Sequence, residues 1–439
     1  MNVFKKGDKK VMNAWAMYDW ANSVYHLVIT STLFPIYYTA VTGGSGAKVN
    51  FLGFSFLSDA LYTYALSFAF LVIAAVAPLL SGIADYTGNK KIFMKFFCYM
   101  GALSCSGMYF FTSSNLWLGI VLVIFACIGY AGSIVFYNAY LPEIVEPADQ
   151  NRLSAKGFSL GYIGSSILLI LNLVMVQLNA WTGLTGDAAV AMATRWSFVT
   201  VGVWWIVFAQ ITFRRVPTNP YGEVKRGEKH NIWKGYQELL KVWRLLKGTK
   251  PLRRFLIAFF VYNTGVRTIM LVASLFGSDE LKMKEGQLIP TILIIQFVAV
   301  GGAYLFSYIA KKKSDIFMLK VAIFVWVGVC IGAYCTYTAN QFYALAFFVG
   351  LVMGGIQALS RSTYSKMLPP ETQDHASFFS FYDVCENVGS VLGLFLYGWV
   401  YDFTGSMRNS IIFLLSLFVL GFIFLNRVPK AKPQSTLSN

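Results

Sequence analysis

The sequence predicts an all-α membrane protein of twelve transmembrane helices, arranged as two bundles of six helices with both termini in the cytoplasm. The first observation is composition. Of the 439 residues, 56% are hydrophobic and 13% are charged, about half the charged share of a typical soluble domain. The second is a set of twelve apolar runs, each near the ~20 residues that a helix needs to cross a bilayer. The third is one long polar stretch that separates these runs into six and six.

The order of the apolar runs gives the domain organisation. The predicted spans are 15–41, 58–84, 92–111, 115–139, 157–179, 195–213, 253–277, 287–310, 316–337, 341–366, 377–402 and 407–427. We therefore expect an N-terminal bundle over 1–213, a cytoplasmic linker over 214–252 and a C-terminal bundle over 253–439. The segments 138–166 and 362–391 also resemble each other, and internal repetition of six-helix units is typical of several transporter folds.

The linker contains the stretch "IWKGYQELLKVWRLLKG", residues 232–248. At helical spacing its apolar residues fall on one side, with lysines interleaved. This pattern predicts an amphipathic helix lying on the inner membrane surface. The alternative is a helix that packs against its own protein.

The distribution of basic residues predicts the orientation. Of the 36 Lys and Arg residues, 30 fall in the segments on the same side as the N-terminus, 5 on the opposite side and one, Arg267, inside a span. Cytoplasmic segments carry the excess of Lys and Arg, so both termini are expected inside. The net charge of +16 then reflects topology, and no nucleic-acid partner is expected. The compact loops favour a bacterial cytoplasmic (inner) membrane, and a monomer is expected.

The sequence carries no sign of a metal, a cofactor or an enzyme active site. All six cysteines fall in apolar segments without a C-x-x-C pair, so we predict small core residues. H-E-x-x-H, G-x-S-x-G and nucleotide-loop motifs are missing, which disfavours a membrane-embedded enzyme. A sensor would usually add a soluble output domain, and the linker is too short for one.

Polar residues recur at helical spacing inside six of the spans. Positions i, i+3, i+4 and i+7 share one face of a helix. The stripes are Asp19, Asn22, Ser23, His26 and Thr30; Tyr130, Ser133 and Tyr137; Tyr162, Ser165 and Ser166; Asn263 and Arg267; Gln357, Ser360, Arg361 and Tyr364; and Asp383, Glu386, Asn387 and Ser390. Charged groups are costly in lipid, so we expect the stripes to face a shared aqueous cavity.

Depth within the spans divides these residues into two groups. Asp19, Arg361 and Asp383 lie one or two turns from the cytoplasmic end and are predicted to form an inner gate, by ion pairing or helix-end contacts. The second group lies nearer the midplane and is predicted to contact substrate and protons. It consists of His26, Arg267 and Glu386, with Asn22, Asn263 and Gln357 as further substrate-binding candidates. Histidine titrates near neutral pH, and arginine binds carboxylates in a bidentate manner.

Structural explanations for the same residues stay open. Asp19 can cap a helix or reach the membrane surface. Arg267 and Glu386 can form a structural ion pair with each other or elsewhere, and His26 can be a hydrogen-bonded packing residue.

One loop carries a more specific motif, "SGIADYTGNKK", residues 81–91. Gly82 permits close approach of two helices, and Gly88 permits a tight reversal of the chain. Asp85 can lie against the positive N-terminal end of another helix. Lys90, with its neighbouring lysine, is expected to hold the loop inside the cell. We predict that these four residues shape the conformational change; an ordinary basic loop is the alternative.

This loop resembles the signature of the major facilitator superfamily. "YDWANSVY" (18–25), "LSAKGFSLGYIGSS" (153–166) and "GGIQALSRSTY" (354–364) with the following "FYDV" resemble the branch called unknown major facilitator family one, which includes fungal vacuolar amino-acid effluxers. The resemblance covers most of residues 11–427. It implies a two-bundle fold with alternating access, in which helices 1, 4, 7 and 10 line a cavity and helices 2, 5, 8 and 11 flank it.

The sequence departs from that family at three places. Thr264 stands where an acid is expected, and Glu386–Asn387 replaces a typical Gly-Lys pair. The second-half loop "SYIAKKKSD", residues 307–315, lacks the acidic and glycine positions of the loop motif. These departures concern cavity charge, so the family's substrate does not transfer directly.

We predict a secondary transporter that moves a small polar solute by alternating access, coupled to protons. A cavity with Arg267 and acidic residues suits a zwitterion such as an amino acid. The alternative is an exporter of amphipathic compounds, drugs or lipids, for which a cavity lined by Phe and Leu without midplane charge is expected. The polar stripes are equally consistent with import and with export of the solute.

Overall fold

The computed structural model describes residues 5–44, 46–218 and 232–429, without the side chains of 232–235, 238 and 285. Its helices are α1 Lys9–Val41, α2 Ser58–Thr87, α3 Lys90–Gly107, α4 Leu116–Ala139, α5 Pro147–Gln177, α6 Gly186–Arg215, α7 Ile232–Gly248, α8 Lys250–Leu275, α9 Glu285–Lys312, α10 Asp315–Tyr334, α11 Ala339–Lys366, α12 His375–Thr404 and α13 Met407–Asn426. Two short antiparallel strands, β1 Lys48–Phe51 and β2 Phe54–Leu57, form a hairpin between α1 and α2. The linker helix is α7, so the helices of the second half are α8 to α13.

Ten helices within the described ranges are long and apolar enough to cross a membrane, which makes the chain a multi-pass membrane protein. The other two predicted spans are also helices, α3 and α12. Helix α3 is only 18 residues long and has three lysines near its start, and α12 contains Asp383 and Glu386 within its apolar stretch. The expected number of twelve spans therefore exceeds by two the helices that qualify on length and composition.

Contacts within each half are made by close helix packing. In the first half α1 packs on α5 and α6, and α3 packs on α4 and α6; in the second, α8 packs on α12 and α13, and α9 on α11. A Cβ added at Gly302 or Gly354 would collide with a backbone carbonyl of the facing helix in the α9–α11 contact. Small residues of this kind let helices approach closely in membranes, where lipid tails compete with apolar side chains.

In the described part of the chain, four helix pairs make the most extensive contacts between the two halves. Helix α5 packs on α9 and α11, and α12 packs on α2 and α4. The described chain termini lie at one end of the bundle, called here the terminal end. Gly7 N–H donates to Ile144 O at 2.9 Å, after the end of α4, and Arg254 Nη1 near the start of α8 donates to Arg427 O at 3.0 Å.

The helix expected in the linker is present as α7. It packs against α2. Lys241 Nζ lies 2.9 Å from Asp374 Oδ2, and the Trp243 ring lies 5.5 Å from the Phe381 ring of α12. Val242 is fully buried, whereas Trp243 is partly exposed. The buried face of α7 therefore matches the alternative considered from the sequence, a helix that packs on its own protein.

Candidate functional site

A polar cavity of about 80 Å³ lies between the two halves. Its lining residues from the first half are Asp19, Ser23, His26, Leu27, Tyr130, Ile134, Asn138, Phe158, Tyr162 and Ser165. From the second half they are Asn263, Arg267, Met270, Gln296, Met353, Gln357, Ser360, Arg361, Tyr382 and Glu386. The stripes predicted from helical spacing thus supply most of the polar wall, and the two halves contribute equally.

Helix α1 presents its stripe through a change of helix type. Tyr25–Leu33 forms a π-helical segment, and Thr32 Oγ1 donates to Leu27 O at 2.7 Å within it. Such widened turns frequently occur at functional sites. His26 lies at the start of this segment, with its ring stacked beside Tyr130 at a centroid distance of 6.3 Å.

One predicted member of the α1 stripe is not in the cavity wall. Asn22 is fully buried, and Ser23 Oγ lies at 3.5 Å from its Oδ1, but Asn22 is not among the lining residues. Successive residues of a helix are rotated by about 100°, so Asn22 lies about 60° from Asp19 around the helix axis, at the edge of the stripe. That edge faces the packing inside the first half.

Arg267 and Glu386 form an ion pair in the cavity wall. Arg267 Nη2 lies 2.9 Å from Glu386 Oε2, and the two side chains are 22% and 16% exposed. Both belong to the second half, on α8 and α12. A second cavity of about 50 Å³ shares His26, Arg267 and Glu386 with the first. The pair expected near the midplane therefore lies where two cavities adjoin, and it has partial access to both.

Asp19 and Arg361 form a buried ion pair that joins the two halves. Nη1 and Nη2 of Arg361 each lie 3.3 Å from Asp19 Oδ2, and Tyr137 O–H donates to the same oxygen at 2.7 Å. Arg361 also donates from Nε to Ser154 Oγ and from Nη2 to Ser154 O, both at 3.0 Å. Its guanidinium stacks over Phe158 at 4.1 Å. The guanidinium therefore binds α1 and α5 of the first half from α11 of the second.

Asp383 does not form an ion pair with these residues, although the sequence allowed it to contribute to a predicted inner gate in that way. Within the described part of the chain it forms no ion pair, and its one hydrogen bond comes from Asn138 Nδ2 to Oδ1 at 3.5 Å. Its side chain lines the second cavity rather than the first. The reason is register: Asp383 lies one turn before Glu386 on α12, on the edge that faces α4.

A second set of contacts between the halves surrounds the loop motif at the terminal end. Asp85 accepts hydrogen bonds from the N–H groups of Ala376 at 3.1 Å and Ser377 at 2.7 Å, in the first turn of α12. The expected contact with a helix N-terminus is therefore present. Gly88 has φ of 64° and caps α2, as the tight reversal requires, and Gly82 is buried within α2.

Lys90, which is expected to hold the loop inside the cell, is itself buried, at 5% exposure. Its Nζ lies 3.3 Å from Asp85 Oδ1 and forms a hydrogen bond with Glu143. Glu143 Oε1 lies 2.9 Å from His375 Nδ1 at the start of α12. A buried lysine needs compensating carboxylates, and Asp85 and Glu143 provide them.

The remaining predicted residues line the first cavity. Tyr162 O–H donates to Gln357 Oε1 at 2.5 Å, which links the halves, and Gln357 Nε2 lies 3.3 Å from Met270 sulfur. Asn263 lies in the wall and is 5% exposed. Four of the six cysteines are buried as predicted, whereas Cys385 is partly exposed and Cys335 is exposed at the end of α10.

Sequence reasoning missed several residues that join the halves. Glu143 and His375 lie outside the spans, and Asn151 Nδ2 donates to Asp315 Oδ1 at 2.6 Å. The Pro-Glu turn that the two repeated segments share is the sequence feature that could have pointed to Glu143. No stripe pointed to His375. Among the described residues, no group of three or more His, Cys, Asp or Glu side chains could hold a metal ion.

A charged cavity between two membrane-spanning helical halves is the architecture of a secondary transporter. Solved structures with the same fold agree. The fucose transporter FucP, in the outward conformation, matches with a TM-score of 0.68 and 13% identity over 96% of this chain and 98% of that one. The human organic anion transporter MFSD10 matches with a TM-score of 0.71 and 12% identity, over 96% of this chain and 100% of that one. The fold is that of the major facilitator superfamily.

The family follows from sequence comparison. Residues 7–436 match the model of the family described as "Vacuole effluxer Atg22 like", and the chain belongs to this family. The MFS-type transporter YxiO of Bacillus subtilis (strain 168) is 32% identical over 422 residues, 96% of this chain and 95% of the relative. Autophagy-related protein 22-1 of Aspergillus terreus is 24% identical over 466 residues, which cover 87% of this chain and 75% of the relative. The chain is therefore a major facilitator transporter of the Atg22-like branch.

Proposed function

We propose that this transporter moves a small polar solute that carries both a positive and a negative charge, such as an amino acid, by proton-coupled alternating access. The observation that carries the proposal is the Arg267–Glu386 pair, 2.9 Å apart and partly exposed where the two cavities adjoin. A zwitterion can replace this internal pair: its carboxylate takes the guanidinium of Arg267 and its ammonium takes the carboxylate of Glu386. Each protein charge then keeps a partner throughout.

The surrounding wall fits a small polar solute. Asn263 and Gln357 add amide groups beside the ion pair, and Ser23 and Ser165 add hydroxyl groups. The alternative, an exporter of amphipathic compounds, drugs or lipids, is expected to have an apolar cavity without charge at this depth. Met270, Met353 and Phe158 give the wall an apolar part, but the charges favour the polar solute.

Two residues are proposed to couple transport to protons. His26 lines the same cavity as Arg267, and Glu386 lacks a cation at the step in which the solute ammonium has left and the pair with Arg267 has not yet re-formed. A carboxylate that loses its cation in a confined cavity gains affinity for a proton, and the imidazole of His26 is a second group in the same wall that can bind one. Solute and proton binding are thereby linked at the same ion pair.

We also propose twelve spans with both termini in the cytoplasm, in a bacterial inner membrane and as a monomer. The 30-to-5 split of basic residues supports the orientation. With that orientation the terminal end is cytoplasmic. The Asp19–Arg361 pair and the hydrogen bonds of Asp85 to α12 would close the cytoplasmic side, which makes them an inner gate. Breaking them and forming contacts at the other end would complete the transport cycle.

Uptake by the purified protein in liposomes tests this function. A mixed pool of amino acids, sugars and organic anions is offered with and without an imposed pH gradient, and the internal content is read by mass spectrometry. We expect a subset of amino acids to accumulate only with the gradient. The matched control is Gly398→Ala, a helical position with no neighbour within 4 Å of an added Cβ. Uptake of apolar compounds or organic anions instead, with the folded protein, would contradict the proposal.

A further inference from the structure

Asp383 is a buried carboxyl group without a cationic partner. It is 3% exposed. Oδ1 accepts one long hydrogen bond, from Asn138 Nδ2 at 3.5 Å. Oδ2 is buried without a hydrogen-bond partner among the described residues. An ionised carboxylate is costly to bury in this way, because neither a charge nor a full set of donors compensates its lost hydration.

The other acidic residues between the halves are placed differently. Asp19 pairs with Arg361, and Glu386 pairs with Arg267. Glu143 has both Lys90 and His375 beside it. These carboxylates can stay ionised when the gate is closed, since each has a cation within reach. Asp383 is the exception among the described residues of this region.

The position of Asp383 gives it a route for protons and a link to the gate. It lines the second cavity together with His26 and Glu386. Asn138, its hydrogen-bond donor, lies on α4 of the first half, and Asn138 Oδ1 accepts from Arg361 Nη1 at 3.4 Å. One amide therefore contacts both Asp383 and the arginine of the Asp19–Arg361 pair.

The charged and titratable groups around Asp383 come from five helices. They are Glu386, Tyr382 and Cys385 on α12, Arg267 on α8, Arg361 and Tyr364 on α11, His26 and Tyr25 on α1, and Tyr130 on α4. Helix α2 contributes Phe70 to this cavity, which is uncharged. Arg267 and Arg361 are both engaged by other carboxylates, so neither neutralises Asp383.

We propose that Asp383 is a second proton-binding site, which holds a proton while the inner gate is closed and releases it when the gate opens. The proposal rests on the proposed proton-coupled function and adds to it a site tied to the gate rather than to the solute. The proton reaches a carboxylate oxygen from the aqueous phase at the second cavity. Opening the gate separates α4 from α12, removes Asn138 and admits water, which hydrates the ionised carboxylate and takes the proton.

Infrared difference spectroscopy tests the protonation directly. Spectra of the purified wild type in lipid are recorded across a pH titration, and the carbonyl stretch of a protonated carboxylic acid is followed. We expect a band that Asp383→Asn abolishes and that Glu280→Gln leaves in place. Glu280 is the matched control because it pairs with Arg408 at 2.7 Å, away from the gate. If Asp383→Asn does not fold, Asp383→Glu should shift the band instead of abolishing it.

The link to the gate is tested by the distance between two spin labels at the terminal end. Ala148→Cys and Gln373→Cys introduce labels at exposed positions of the two halves, in a background with the native cysteines replaced. Raising the pH should shift the wild-type distribution towards longer distances, and Asp383→Asn should stay at the short distance. A pH response retained in Asp383→Asn, or no band that depends on Asp383, would overturn the proposal. Neither readout needs a solute, so failure of the uptake assay alone would count only against the proposed function.

Discussion

Arg361 and Asp19 are separated by 342 positions in the sequence, yet their side chains form an ion pair at 3.3 Å. The pair joins α11 of the second half to α1 of the first. Arg361 also donates two hydrogen bonds to Ser154 on α5. A transporter that opens at this end must break these bonds, so we expect the pair to contribute to the stability of the proposed inner gate.

Asp19→Asn should open this gate. The substitution removes the counter-charge of a buried arginine, and breaking such a pair by removing one partner costs about 3–5 kcal/mol. We expect the distance distribution between labels at Ala148 and Gln373 to move to longer values. Asp402→Asn, at an exposed position on α12, should leave it unchanged. A distribution that stays short in Asp19→Asn would mean that the pair does not hold the gate closed.

Gly157→Ala should disturb the same pair by steric contact alone. An added Cβ would collide with Asp19 Oδ2 and lie 3.0 Å from the Tyr137 hydroxyl oxygen. We expect at least about 1 kcal/mol lower thermal stability, since overpacking a filled site typically costs about 1–3 kcal/mol. Gly398→Ala is the control, because its Cβ meets no neighbour within 4 Å. Equal melting temperatures for the two variants would contradict the close packing of α5 on α1.

Lys90 and Glu143 should be energetically coupled. They form a buried hydrogen-bonded ion pair at the start of α3 and the end of α4. A double-mutant cycle with Lys90→Met and Glu143→Gln, measured by chemical unfolding in detergent, should give a coupling energy within about 0.5–3 kcal/mol. Additive effects of the two substitutions would show that the contact does not contribute to stability.

His26 and Glu386 should be required for coupling but not for movement of the solute. With both His26→Gln and Glu386→Gln, solute exchange without a gradient should persist, at lower affinity, while a pH gradient should no longer drive accumulation. The measurement compares the two assays on the same liposomes. Gradient-driven accumulation equal to that of the wild type would place the coupling proton elsewhere.

Much of the cavity wall can be predicted from helical spacing. Asp19, Ser23 and His26 repeat at three and four residues, and charged stripes of this kind cannot face lipid without cost. The Asp85 contact could be predicted as well, because a carboxylate in the last turn of a helix, beside a short reversal, suits the N-terminus of another helix. These predictions need only the properties of single helices.

The rest depends on how helices approach each other. Asn22 belongs to the same stripe as Asp19, but the rotation of α1 against α5 and α6 decides which edge faces the cavity. Glu143 and His375 meet only because the end of α4 lies against the start of α12. A partner 232 positions away cannot be inferred from the local pattern around either residue. The burial of Lys90 against Asp85 and Glu143 depends on the same approach of distant segments.

In the proposed transport cycle the solute binds at Arg267 and Glu386. The most direct test uses an amino acid that the wild type accumulates in the uptake assay. Its exchange across the liposome membrane is measured as a function of its concentration. Arg267→Met should raise the half-saturating concentration by roughly 10- to 150-fold, since a hydrogen bond to a charged group contributes about 1.5–3 kcal/mol. The half-saturating concentration of Arg267→Lys should fall between those of the wild type and Arg267→Met, because lysine keeps the charge and loses the bidentate geometry. A half-saturating concentration in Arg267→Met equal to that of the wild type would contradict solute binding at Arg267.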